Sequence, residues 1–122
     1  MLFRKYQFLF CNFFFHLNNK EVIMKFMVTW RIHPDKRQAV INAFSKMTAP
    51  DDHKDMADKT KLIGRWHDLS SASGVAICES DDALAVASWA LNWNPSLDLQ
   101  TSMVLDEEEA RTVGRSKMAA AK

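Results

Sequence analysis

Residues 64–69 read "GRWHDL", with Arg65, Trp66, His67 and Asp68 in succession. An imidazole titrates near pH 6.5, so His67 is placed to take or give a proton at neutral pH. The guanidinium of Arg65 offers a planar fork of donors that matches a carboxylate. These two are the candidate catalytic residues. Each also has a plain structural reading. His67 could be a strand histidine bonded to Asp68 or to a backbone carbonyl, and Arg65 could pair with an acid across a subunit interface. Trp66 reads first as core, because a large ring at the centre of a strand buries well. It joins Thr29, Arg31, Cys78, Trp89 and Trp93 as a candidate ligand contact. Trp89 and Trp93 lie four apart on one helical face, where they either flank an aromatic ligand or pack a helix on a sheet. Cys78 lacks a neighbouring base to lower its pKa and reads better as a small buried residue than as a nucleophile.

Other chemistries find no residues to support them. The four histidines do not cluster with cysteine, and "DEEE", 106–109, reads as a solvated helix start, so no metal site is expected. There is no glycine-rich phosphate loop, nucleophile elbow or HExxH motif. Nothing requires a cofactor, although a haem held by one histidine stays open. Sixteen basic residues balance fifteen acidic ones, which gives no field to hold nucleic acid or an anionic membrane. Cys11 and Cys78 lie far apart in a chain of 122 residues, which favours a reducing, cytoplasmic compartment over a disulfide framework.

The elements that must position these residues follow from periodicity. "KFMVTWRI", 25–32, alternates as a strand, with Phe26, Val28, Trp30 and Ile32 on one face. Pro34 and Asp35 suit the start of a helix. Ala39, Val40, Ala43, Phe44 and Met47 give that helix one apolar stripe, which breaks at "TAPDDHKD". His33 precedes this helix, and His53 falls in the charged breaker, where it reads as solvated. "TKLIGRWHDL", 60–69, and "GVAICES", 74–80, form a hairpin across "SSAS". Ser80–Asp82 caps an alanine-rich helix over 83–93, which "NPS" ends beside Asn92 and Asn94. "LDLQTSMVL", 97–105, is a fourth strand, and "DEEEARTV" a short helix before a frayed tail, 114–122.

The order is β-α-β-β-α-β, an α+β, ferredoxin-like arrangement. Each helix has one apolar stripe, so both must cover one face of a four-stranded antiparallel sheet. Val75 and Ile77 are assigned to that covered face, leaving Met27, Ala76 and Cys78 on the open one. With Trp66 placed in the core, Arg65 and His67 also fall on the open face, beside Thr29 and Cys78. Such a half-apolar surface calls for a cover, and the expected cover is a second copy in a two-fold homodimer.

Four stretches, "MKFMVTWRI", "KLIGRWHDL", "GVAICESDDALAVASWALNWN" and "LDLQTSMVLDEEEA", resemble the bacterial family catalogued as domain of unknown function 3303. The resemblance runs from Met24 to about Ala110 and rests most on "MVTW", "GRWH" and the "W…WN" of the second helix. It implies a fold and no activity. That scaffold is similar to the dimeric α+β barrels, among them antibiotic-biosynthesis monooxygenases, muconolactone isomerase and small haem-degrading enzymes. The resemblance therefore implies an apolar or aromatic small-molecule ligand, with cofactor-free oxygenation or isomerase-type proton transfer as candidate chemistry. A non-catalytic interaction module using its sheet face is the alternative.

Residues 1–23 stand apart. Six of the eight phenylalanines lie in the first 15 positions, and none of the 14 alanines precedes position 24. Asn12 interrupts the apolar run Phe8–Phe15, and no small-residue cleavage site follows it, which argues against a signal peptide. The run is also too short to span a bilayer. A membrane-surface or partner-binding arm is one reading; a start codon placed too early, with the chain proper beginning at Met24, is favoured. The domain is expected over 24–113.

Overall fold

The computed structural model describes residues 22–121. The expected extension at 1–23 therefore lies almost wholly outside the described residues. The order is β1 (Met24–Ile32), a 3-10 turn (Pro34–Lys36), α1 (Arg37–Ser45), α2 (Ala49–Met56), β2 (Thr60–Asp68), β3 (Ser73–Ser80), α3 (Ala83–Trp93), β4 (Leu97–Val104) and α4 (Glu107–Ala120). The strands form one antiparallel sheet in the order β2-β3-β1-β4, an α+β topology compatible with the ferredoxin-like fold.

The alternation expected of β1 holds. Phe26, Val28 and Ile32 are buried, and Trp30 packs against both core clusters. Across the sheet, Phe26 pairs with Cys78 and Val28 with Ala76, and residues paired in register share a face. Ala76 and Cys78 are therefore core residues, each fully buried. Val75 and Ile77 take the open face with Met27 and Thr29. This reverses the expected assignment of β3. The reason is volume: wide aromatic rings from β1 and α3 already fill the covered side, and they leave room beneath for small residues only. At Gly74, an added Cβ would run into the Trp30 ring.

β2 reverses as well. Its register with β3 slips between Leu62 and Gly64, so Ile63 is the extra residue of a β-bulge. Thr60 and Leu62 pair with Ser80 and Cys78 on the covered face, and past the bulge Arg65 and His67 occupy that face, opposite Ala76 and Gly74. Trp66 turns outward, pairs with Val75 and is 59% exposed, not core.

The helices differ from expectation in two places. The polar breaker is itself a helix, α2. Thr48 and Asp51 form a reciprocal capping box at its start, and Pro50 occupies the first turn, where its missing N–H is not needed. α4 runs on through Gly114 to Ala120. At the start of α3 the cap is as read, with Asp82 accepting from the Leu84 N–H, and at the start of α4 Asp106 and Glu109 form a capping box within the acidic run. α3 supplies Val86 and Trp89 to the core and α2 supplies Met56, whereas α1 buries no residue.

Candidate functional site

Because α1 stands off the sheet, a half-open recess of about 80 Å³ lies beneath it. Its walls are mostly apolar: Trp30 and Ile32 from β1, Val40 and Phe44 from α1, Met47 just after it, Trp89 and Trp93 from α3, and Leu97 and Leu99 from β4. The bulge in β2 delivers Arg65 and His67 into this wall, and Asp68 closes the rim.

Arg65 is held from two sides. Its side chain is only 15% exposed, and Nη2 donates to Oδ1 of Asp52 on α2 at 2.7 Å. The guanidinium carbon lies 4.9 Å from the centroid of the Phe44 ring, within cation–π range. Only that one donor of a possible five is spent on a protein acceptor among the described residues. The His67 ring packs 4.3 Å from Phe44 and meets the Trp30 ring nearly edge-on at 5.4 Å. Partial burial, reinforced by the nearby Arg65 charge, holds His67 below the usual imidazole value. At neutral pH it is the uncharged base, with one ring nitrogen free to accept. Asp68 does not orient it: that carboxylate accepts from the Ser70 hydroxyl and the Ser71 N–H, which keep it below the usual carboxylate range.

The tryptophan wall is fixed by one group. Asp55 of α2 accepts from Trp89 Nε1 at 2.8 Å and from Trp93 Nε1 at 2.9 Å, locking both indoles of α3 to the neighbouring helix. Both tryptophans thus pack helix against sheet and at the same time line the recess.

Of the residues singled out from sequence, Arg65, His67, Trp89 and Trp93 converge here. Cys78 does not. It is sealed under the helices, where burial pushes its thiol up to about 11, which suits a core residue and not a nucleophile. Thr29 and Arg31 lie beside Gln100 and Asp98 at a separate shallow depression, and Trp66 covers Gly64 on the open face. His33 bonds Asp98 at 2.9 Å, and His53 faces Asp58 at 3.3 Å in solvent. No group of three or more metal-ligating side chains occurs among the described residues.

Sequence reasoning missed Asp52 and Asp55, and it assigned Phe44 to the core alone. The signal was present: "TAPD", 48–51, is a helix start with a capping acid, and it places Asp52 and Asp55 three apart on one helical face. The resulting arrangement is an apolar, aromatic-walled recess with one partly engaged cation and one neutral base. It can bind a flat apolar molecule, orient one polar atom of it, and exchange a proton there.

No helix among the described residues is long and apolar enough to cross a membrane. No curated protein matches the chain. The chain belongs to the family described as Domain of unknown function (DUF3303), whose model matches residues 24–117.

Proposed function

We propose that this protein binds an apolar or aromatic small molecule in the recess between α1, α3 and the sheet. One observation carries the reading: the apolar stripe of α1 is only half-buried, with no side chain fully sealed, while the space beneath holds the unspent donors of Arg65 and the neutral ring of His67. A helix with only its own fold to satisfy would close that gap, since protein interiors pack to the density of organic crystals. His67 is the residue through which proton-transfer chemistry of the isomerase type, or cofactor-free oxygenation, would run. The buried free thiol of Cys78 suits a reducing, cytoplasmic location.

A thermal-shift screen of aromatic acids, quinones and haem tests this. A ligand at a hundred times its Kd stabilises the folded state by about 2.7 kcal/mol. The expected result is stabilisation of the wild type and its loss in His67→Ala. A broad library without a hit would overturn the reading.

A second reading rests on the other face. Trp66 and Ile63 are exposed there, beside half-buried Met27, Val75 and Ile77, a patch of the kind that contacts another chain. A second copy laid sheet to sheet is its cover, giving a homodimer of the dimeric α+β barrel type. Light scattering should report twice the chain mass, falling to a monomer in Trp66→Glu; a monomeric wild type at high concentration would remove this reading.

A further inference from the structure

Resting on that ligand-binding reading, we propose that the recess selects a neutral aromatic molecule bearing one acceptor oxygen, such as a phenol or an aryl ketone, over an anion, a cation or a bare hydrocarbon. The acceptor is called for by Arg65. A guanidinium 15% exposed, with a single donor spent on Asp52, presents its remaining N–H groups to the recess. Those N–H groups still reach water in the open recess, since Thr60 Oγ1 is the one buried side-chain polar atom without a partner among the described residues; a bare hydrocarbon would strip that water and leave the donors unpaired, whereas a ligand oxygen replaces it. His67 adds a second polar point, packed between Phe44 and Trp30 and carrying no charge at neutral pH.

The charge census sets the sign. Asp52 already neutralises Arg65, while Asp68 at the rim and Asp55 behind the indoles leave the surroundings net negative. A carboxylate ligand would compete with Asp52 and meet two further acids. A cationic ligand would meet Arg65, which already occupies the Phe44 face. A neutral acceptor meets neither penalty. The aromatic body follows from the walls, where Trp30, Phe44, Trp89 and Trp93 offer ring faces and edges. Size matters too: an apolar void of about 150 Å³ holds a benzene ring, against about 80 Å³ here. Even a single ring must lift α1, which is held by half-buried side chains such as Val40 and by no fully buried one.

The test titrates p-cresol, toluene, p-toluate and 4-methylbenzylammonium into the intact chain and follows the indole Nε1–H resonances of Trp30, Trp89 and Trp93 by NMR. p-Cresol should bind about tenfold more tightly than each of the other three, the worth of one hydrogen bond to a charged donor. Arg65→Met should bring p-cresol down to the level of toluene. Arg65→Lys keeps the Asp52 pair but loses the fork, so it should fall between them; it serves if the methionine variant does not fold. If toluene equals p-cresol, or if either ion binds more tightly, the ligand class is wrong and the pocket stands. If none of the four moves a pocket indole, the pocket reading itself falls.

Discussion

α1 and α3 lie over the same sheet face, and they do different work. α3 drives Val86 and Trp89 into the core, and Asp55 holds its two indoles from the side. α1 and the turn after it offer Val40, Phe44 and Met47, and all three are only half-buried. The difference separates a helix that holds the fold from one that roofs a space. Stability should divide accordingly. Trp89→Ala removes a buried ring and leaves Asp55 short of one donor, an expected loss of about 3–5 kcal/mol. Phe44→Ala removes a half-buried ring facing a recess that already exists, and about 1 kcal/mol is expected from its smaller buried area. Urea unfolding of the two variants makes the comparison. Similar losses would mean that α1 is packed as firmly as α3.

The two faces of the sheet offer the next contrast, through a glycine on each. At Gly74, on the covered face, an added Cβ strikes the Trp30 ring and comes within 2.7 Å of the Trp66 backbone carbonyl oxygen. Neither can retreat, so Gly74→Ala should cost about 1–3 kcal/mol as overpacking. At Gly64, on the open face, the obstacle is the far end of the Trp66 ring, which is free to swing into solvent. Gly64→Ala should cost less than about 1 kcal/mol in a monomer. A large loss at Gly64 would show that Trp66 is clamped, and so that the open face is covered by a second copy.

How far each region was legible follows the same divide. β1 was read correctly because its apolar residues alternate and its partners on both sides keep register. The hairpin, α3 and β4 follow from turn and capping residues whose effects are local. The faces of β2 and β3 were not legible. A period-two reading assumes an unbroken ladder, and the extra residue at Ile63 inverts everything after it; only Gly64 hinted at a bulge. In β3 the branched residues looked like core, yet the core needed alanine and cysteine beneath large rings, a demand made by other elements. The same inversion moved Arg65 and His67 from the open face to the recess, so the two residues were found and their surroundings were not. Asp52 and Asp55 were passed over because a run of charge reads as loop until its capping box is noticed.

That capping box gives the next-largest effect. Thr48→Ala removes the hydroxyl at the start of α2, and a cap of this kind is worth about 1 kcal/mol. Because α2 carries both Asp52 and Asp55, the loss should show beyond stability. The indole resonances of Trp89 and Trp93 should broaden or shift while those of Trp66, on the far face, hold still. Unchanged indoles beside a lowered stability would mean that α2 keeps its place without its cap.

The smallest effect comes from His67, and its sign is fixed by where its pKa lies. The folded state holds the ring below the ordinary 6.5, through burial first and the Arg65 charge second. Below pH 6.5 the unfolded chain takes up this proton before the folded one does. Stability then rises with pH across the interval between the two values and is fully present above 6.5. On acidification from pH 7, wild type should lose stability that His67→Gln does not lose. Asp51, Asp68, Asp82 and Asp106 are all held below the carboxylate value of 3.8, so the stability they contribute begins to be lost only near that value, well below the 6.5 at which the His67 loss begins. The recess makes this a sharper probe than the magnitude suggests. A ligand that closes α1 over His67 deepens its burial, so saturating p-cresol should leave the onset near 6.5, which the unfolded chain sets, and lower the pH at which the divergence of wild type and His67→Gln is complete. A ligand seated on the open sheet face would leave that pH where it was.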